Sequence, residues 1–245
     1  MKFKKWEFII SCEHGGNKIP FPQNKKLHQK FSAKYLATHR AYDKGALELS
    51  KILKKKLHPS FYISNEITRL LIDFNRSDYH HDKWGTLIHF LQNSEKKICE
   101  NKYLSYHNQI INHINECHEN NVGIIHLSVH SFTPSLRGKK RSTTLGLLFD
   151  PNRLIEKRFA DNCIISLQNE IDVLPNFPYL GSDDGLTTKL RKIFHHGYIG
   201  IEIEVNQKLM KNCADQNSLQ LKMDHLAKKL APVFCEQFKD KGKRA

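Results

Sequence analysis

Two histidines follow apolar, strand-like segments at points where turn-forming residues begin. His14 comes after the run from Phe8 to Cys12 and precedes two glycines, and His130 ends a β-branched run that starts at Gly123. Ligands of open α/β sheets bind outside the carboxyl ends of the strands. The sequence therefore predicts that both imidazoles lie at one edge of a buried sheet, within reach of a common partner.

Carboxylates occur in two further segments that can reach the same edge. Asp43 precedes a segment of helical period, so it either accepts the first free backbone N–H groups of that helix or points into the site. Glu202 and Glu204 alternate along a third strand-like run and therefore share one face. Two histidines and a carboxylate around an open position, with a free glutamate beside them, form the hydrolytic zinc arrangement. The candidate ligands are His14, Asp43 and His130, the candidate base is Glu204, and its alternative is Glu202.

Two arginines, Arg69 and Arg76, flank a short apolar run that is predicted as a strand. The planar guanidinium group binds carboxylates and developing oxyanions. Each arginine is therefore a candidate for substrate binding, and a surface ion pair is the alternative for either one alone. His80, His81 and Trp84 also cluster nearby, but adjacent histidines point in different directions and we assign them no role.

The remaining periodicity predicts helices between the strands. One amphipathic segment begins at Ala46 and is expected to bury Leu49, Ile52, Leu53 and Leu57. Further helices are predicted at about 95–120, 152–169 and 215–238, with the core residues Ile98, Tyr106, Ile110, Ile114, Cys117, Ile155, Phe159, Ile165, Leu219, Met223, Leu226, Leu230 and Phe234. Another strand is predicted within 144–150, and 135–143 is a basic loop of the kind that can cover an active site.

Alternating strands and helices predict a three-layer α/β/α fold with a mostly parallel, mixed central sheet. Because 245 residues can bury one substantial core and no linker or repeat interrupts them, we expect a single catalytic domain over residues 1–245. No run approaches the ~20 apolar residues of a membrane span, and Glu7 interrupts the N-terminal apolar run, so no signal peptide is expected. Six scattered cysteines without a C-x-x-C pair favour reduced thiols and a cytoplasmic location.

The chain is basic, with a formal net charge of +14 and a pI near 9.5. Its clusters of lysine and arginine, at 51–56, 137–141 and 239–244, lie far apart in the sequence, which favours solvated surfaces over one anion-binding patch. A nucleic-acid-binding protein is the alternative from another class, and its affinity would fall steeply with salt. Because no finger-like, helix-turn-helix or RNP-like motif occurs, a nucleic-acid partner is not expected.

Six motifs occur in order between about residues 8 and 210: SCEHGGNKIP, YDKGA, SNEITRLLIDFNRS, HSFTP, NFPYLGSDDG and YIGIEIEVNQKLM. Together they resemble the successive motifs of the N-formylglutamate amidohydrolase family. That family is similar to zinc carboxypeptidases and aspartoacylase-type deacylases, which share a phosphorylase/hydrolase-like α/β fold. The combination is specific, although each motif alone is short.

The resemblance implies a Zn²⁺-dependent hydrolase that cleaves the amide of a small-molecule N-acyl amino acid such as N-formylglutamate. It implies that His130 is a strand-borne metal ligand, that Glu204 is the general acid/base and that Arg69 polarises the scissile carbonyl. The segment Asp73-Phe74-Asn75-Arg76 resembles the element that holds a substrate carboxylate, which makes Asn75 and Arg76 substrate-binding residues.

The sequence departs from the carboxypeptidase-like pattern at one metal ligand. In that pattern a glutamate ligand follows the first histidine by three residues, and here Asn17 occupies the position. Asp43 is favoured as the carboxylate ligand because it opens the helix after the first ligand loop, and Glu13 is the second choice. The alternative activities are those of a zinc peptidase or of a deacylase for another N-acyl amino acid.

Overall fold

A computed structural model describes residues 3–213 and 215–239 of the chain. The strands are β1 (Lys5–Cys12), β2 (Phe61–Ser64), β3 (Val122–Phe132), β4 (Ser135–Leu136), β5 (Lys139–Lys140), β6 (Leu145–Leu148), β7 (Val173–Pro175) and β8 (Tyr198–Asn206). Six of them form one sheet in the order β2-β1-β3-β8-β6-β7, and β4 and β5 form a separate antiparallel hairpin. In the sheet β6 runs antiparallel to β8, whereas the other neighbouring pairs are parallel. The predicted mixed, mostly parallel sheet is confirmed.

Helices pack on both faces of this sheet. They are α1 (Lys25–Lys30), α2 (Ala33–Leu36), α3 (Ala46–Leu57), α4 (Asn93–Glu119), α5 (Leu154–Leu167), α6 (Leu186–Ile193) and α7 (Gln216–Lys239), with short 3₁₀ turns at His81–Lys83, Ile88–Phe90 and Gln207–Met210. One face is covered by α3, α5 and α7, and the other by α4 and α6. None of the helices in the described ranges is long and apolar enough to cross a membrane.

Alternation along the strands separates an apolar core from a polar face. The core beneath α3, α5 and α7 takes every second residue of β3 and β8: Ile125, Leu127, Val129, Ile199, Ile201, Ile203 and Val205. The residues between them face the other way. Among these are His126, Ser128, His130, Glu202 and Glu204, all of which are buried. Polar groups of two neighbouring strands thus gather on one face of the sheet.

Helix α3 begins at Ala46, as predicted, but the side chain of Asp43 does not cap it. The N-cap is Gly45 with φ of 81°, a conformation that glycine adopts without a Cβ penalty. The backbone of Asp43 closes the turn instead, because its N–H donates to the carbonyl of His14 at 2.9 Å and its carbonyl accepts from Ala46 N at 3.1 Å. The carboxylate of Asp43 is therefore free to enter the site.

Some predictions of local structure are wrong. The apolar run between Arg69 and Arg76 forms turns and an isolated bridge at Ile72, because Leu71 N bonds back to the carbonyl of Thr68 in a tight turn. Three residues expected in helix cores, Ile98, Ile155 and Ile165, are exposed. In α4 and α5, apolar residues also lie beside the buried face, so the apolar pattern alone did not identify that face correctly. The residues buried there include Cys99, Tyr103, Phe159, Ala160, Cys163 and Leu167.

Candidate metal and catalytic site

The structure brings the three predicted metal ligands together. His14, Asp43 and His130 are buried, and their ligand atoms lie within 4.8 Å of one another. The Oδ2 atom of Asp43 is 2.9 Å from Nδ1 of His130 and 3.3 Å from Nδ1 of His14. Two ring nitrogens and one carboxylate oxygen thus converge, which is a donor set that could hold a metal ion.

Each of these histidines directs its second ring nitrogen at another carboxylate. Nε2 of His14 is 2.6 Å from Oδ1 of Asp73, and Nε2 of His130 is 3.1 Å from Oε2 of Glu13. Metal-bound histidines usually donate their other N–H to a carboxylate or carbonyl, which orients the ring. Glu13 therefore lies behind His130 rather than among the converging ligand atoms. Asp73, predicted only within a substrate-binding element, takes the same position behind His14.

The charges at this cluster fit a divalent cation. Burial raises the pKa of a carboxyl group, but the adjacent histidines, and Arg69 at Asp43, hold the pKa values of Glu13, Asp43 and Asp73 below their ordinary range. Arg69 supplies one compensating charge through Nη2, which donates to Oδ1 of Asp43. Metal ligation requires neutral imidazoles, so the three carboxylates and one guanidinium would leave two negative charges. A divalent cation would neutralise them.

Glu204 and Glu202 differ in their hydrogen bonding, although both are buried and line the same cavity. Oε1 of Glu202 accepts a hydrogen bond from the Thr187 hydroxyl at 2.5 Å. Oε2 of Glu204 is buried with no hydrogen-bond partner in the described part of the chain, and burial raises the pKa of Glu204 to about 8. An unpaired carboxyl group with a raised pKa has the properties of a general acid/base, so the geometry favours Glu204 over Glu202.

The predicted substrate-binding residues also line this cavity, together with Arg69. The side-chain oxygen of Asn75 already has a hydrogen-bond partner in the protein, because Oδ1 accepts the N–H of Leu186 at 2.8 Å at the start of α6. Arg76 donates from Nη1 to the carbonyl of Asp184 at 2.8 Å, whereas its Nε has no partner within the described residues. Arg76 therefore keeps donors available for a carboxylate.

Helix α4 supports the loop that carries Asn75 and Arg76, a role that the sequence analysis did not predict. The hydroxyl of Tyr103 donates to the carbonyl of Arg76 at 2.7 Å, and Nε2 of His107 bonds to the carbonyl of Phe74 at 2.9 Å. Both α4 side chains are buried. Polar groups on the otherwise apolar face of an amphipathic helix are the signal that could have indicated these contacts.

The cavity has a volume of about 240 Å³ and combines charged groups with an apolar wall. That wall consists of Phe132, Leu136, Leu148, Tyr179 and Leu180. Leu136 belongs to the β4–β5 hairpin, so the basic segment 135–143, which was predicted as a loop, borders the site and contains a hairpin.

A buried cluster of two imidazoles and a carboxylate beside an unpaired glutamate, on a mostly parallel sheet, is typical of metal-dependent hydrolases. The model of the N-formylglutamate amidohydrolase family matches residues 6–210, and the chain belongs to this family. Membership supports an enzyme that hydrolyses amide bonds.

Two solved structures have the same fold. A gene product from Agrobacterium tumefaciens is 24% identical with a TM-score of 0.77, and the alignment covers 97% of this chain and 92% of that one. The N-formylglutamate amidohydrolase from Ralstonia eutropha JMP134 is 14% identical with a TM-score of 0.54, covering 94% and 95%. No curated protein matches this chain.

Proposed function

We propose that this protein is a zinc-dependent amidohydrolase with one catalytic domain, which cleaves the amide bond of an N-acyl amino acid. N-formylglutamate is the first candidate substrate, because the chain belongs to the family of that name. The observation that carries the proposal is the unpaired, buried carboxylate of Glu204 in the cavity that also contains the His14, Asp43 and His130 cluster.

The metal would be held by His14, Asp43 and His130. When bound there, zinc supplies a Lewis acid and lowers the pKa of a water molecule to about 7. Asp73 and Glu13 fix the orientation of the two imidazoles, whose Nδ1 atoms both face Oδ2 of Asp43. Arg69 holds the Asp43 carboxylate from its other oxygen.

Glu204 acts as the general base and then as the general acid. It accepts a proton from the attacking water and passes it to the nitrogen of the leaving amino acid, a role worth about 10²–10⁴-fold in rate. Burial raises the pKa of Glu204, and the charges of His130 and Arg69 act against that rise and favour the ionised form that the base requires. The absence of a competing hydrogen bond at Oε2 leaves this oxygen available to the water.

Two arginines bind the negative charges of the reacting substrate. Arg69 has a buried Nε–H without a partner in the described chain, and it stabilises the oxyanion that develops on the acyl oxygen. Arg76 binds the α-carboxylate of the amino-acid part through donors that Asp184 leaves unused.

The cysteines support a cytoplasmic location. None of the six cysteines, all of which lie within the described residues, forms a disulfide bond, and Cys12, Cys99, Cys117 and Cys163 are buried. Buried thiols outside disulfides suit a reducing compartment.

The proposal is tested by measuring the metal content of the purified protein and its hydrolysis of formyl-, acetyl- and succinyl-amino acids and of short peptides. We expect one zinc per chain and release of formate from an N-formyl amino acid. Cleavage of peptides alone would identify a peptidase instead. His130→Ala should lose the metal, while His89→Ala, at an exposed histidine, should retain it. Full zinc content in His130→Ala would contradict the ligand assignment.

A further inference from the structure

Glu13, the carboxylate behind His130, is itself held by hydroxyl groups of two other elements. The Tyr106 hydroxyl of α4 donates to Oε1 of Glu13 at 3.0 Å, and the Ser128 hydroxyl of β3 donates to Oε2 at 2.7 Å. Oε2 also lies 3.1 Å from Nε2 of His130. All four side chains are buried, and a carboxylate that is removed from water needs such donors. The hydroxyl groups therefore set the direction in which Glu13 faces His130.

The backbone of Glu13 is anchored separately from its carboxylate. Nδ2 of Asn65 donates to the Glu13 carbonyl at 2.8 Å, and the N–H of Asn65 donates to the carbonyl of Cys12 at 2.9 Å. Loss of one hydroxyl bond to the carboxylate therefore leaves the main chain in place. What changes is the freedom of the Glu13 side chain to rotate away from His130.

Tyr106 and Ser128 differ in how they reach the candidate ligand. Oγ of Ser128 lies 2.9 Å from Nε2 of His130, so a substitution there would change the surroundings of the ligand directly. The Tyr106 hydroxyl comes from the far side of Glu13 and bonds to the other carboxylate oxygen. Tyr106 is therefore the residue through which the orientation of Glu13 can be changed without a change at His130.

The ring of Tyr106 is held independently of its hydroxyl. It packs edge-on against Phe74, with ring centroids 5.3 Å apart and planes at 85°. One helical turn earlier, Tyr103 packs on the same ring at 5.9 Å. Phe74 directly follows Asp73, the second carboxylate that lies behind a candidate ligand. Helix α4 thus supports both carboxylates, the segment of Asp73 by packing and Glu13 by a hydrogen bond.

We infer that Tyr106 is a positioning residue of the metal centre: its hydroxyl orients the Glu13 carboxylate, and that carboxylate orients the His130 imidazole. This inference rests on the proposed function, because it concerns the zinc ion of that site. The sequence pattern predicts Tyr106 as an ordinary core residue, and its hydroxyl gives it a second role. A tyrosine on a buried helix face thereby contributes to metal affinity without contacting the ion.

The test measures the zinc affinity of the full chain by competition with a chelator. Tyr106→Phe keeps the ring that packs on Phe74 and should weaken zinc binding by about 3- to 10-fold, because Glu13 loses one buried donor. Tyr103→Phe is the matched control on the same helix face, since the Tyr103 hydroxyl donates to the carbonyl of Arg76. Its zinc affinity should stay within about twofold of the wild-type value.

A double-mutant cycle separates positioning from a general loss of packing. In Glu13→Gln the negative charge that Tyr106 orients is already gone, so adding Tyr106→Phe should change zinc affinity by less than about twofold. A packing defect would weaken zinc binding by the same factor in both backgrounds. The visible spectrum of the Co²⁺-loaded protein reports coordination geometry, and it should shift in Tyr106→Phe but not in Tyr103→Phe.

Wild-type zinc affinity in Tyr106→Phe would overturn the inference. Equal losses from Tyr106→Phe in the wild-type and Glu13→Gln backgrounds, or an equal loss in Tyr103→Phe, would do the same, and in each case the metal site itself would stand. A wild-type protein that binds no zinc would instead overturn the proposed function together with the inference. The two failures are therefore distinguishable by the titration of the wild-type protein.

Discussion

His130 of β3 is the register partner of Glu204 of β8. Neighbouring strands are about 4.8 Å apart, and both side chains project from the polar face of the sheet into the same cavity. A candidate metal ligand and the candidate base are therefore placed side by side by strand pairing. Their relative position is therefore set by backbone pairing within the central sheet and not by a loop.

Glu204→Gln should lower kcat by about 10²–10⁴-fold, because an amide cannot accept and return a proton. Zinc content should stay near that of the wild-type protein, since Glu204 lies outside the cluster of ligand atoms. Glu202→Gln is the matched control on the same strand face, and its effect should be much smaller because Glu202 is bonded to Thr187. Steady-state kinetics with metal analysis measure both. A fully active Glu204→Gln protein would exclude the proposed base.

Glu13→Gln should weaken zinc binding by about 10- to 100-fold while the protein still folds. The amide keeps the size of the side chain but removes the negative charge behind His130. The Nδ1 atom of His130 then donates its electron pair to the metal less strongly. A competition titration with a zinc chelator gives the affinity. Glu7→Gln changes a carboxylate on the same segment that bonds to Lys5 and should leave the affinity unaltered. Equal affinities for Glu13→Gln and wild type would show that Glu13 does not orient the ligand.

Removal of the metal should lower thermal stability as well as activity. The buried carboxylates of Glu13, Asp43 and Asp73 then lack their compensating cation. At a zinc concentration 1,000 times Kd, binding adds about 4 kcal/mol, and each kcal/mol shifts Tm by about 2–4 °C in a chain of this size. Scanning calorimetry with zinc and after chelation measures the difference. His130→Ala should show no zinc-dependent shift, and a wild-type Tm independent of zinc would argue against a metal at this cluster.

Acid should destabilise the protein through two buried histidines. Burial lowers the pKa of His107 and of His126 to about 4, against about 6.5 in an unfolded chain. As pH falls from 6.5 towards 4, the unfolded state takes up protons that the folded state does not, so the free energy of unfolding decreases. Each histidine contributes a slope of up to about 1.4 kcal/mol per pH unit in that range.

His107→Gln should reduce this slope by the contribution of one histidine. Glutamine can still donate to the carbonyl of Phe74 and accept from Lys189, the two partners of His107. Urea unfolding between pH 4 and 7 measures the slope, and His89→Gln, at an exposed histidine, is the control. An unchanged slope in His107→Gln would show that His107 is not buried in its neutral form.

The secondary structure could be predicted largely from periodicity. The buried stripes of α3 and α7 agree with the sequence analysis because apolar side chains at three- and four-residue spacing report directly which face is covered. The same reasoning misplaced Ile98 and Ile165, where apolar residues flank the true face. It also read the run between Arg69 and Arg76 as a strand, because a local pattern does not reveal a turn closed by backbone bonds.

The sequence by itself determined the family, the α/β class and the residues of the candidate site, since strand ends, helix starts and ordered motifs are local features. Only the tertiary structure decided how those residues are used. It placed Asp73 behind His14, which lies 59 residues away, and it bonded Thr187 to Glu202 while leaving Glu204 unpaired. Such partners are selected when distant segments pack together, and no pattern within a single segment contains that information.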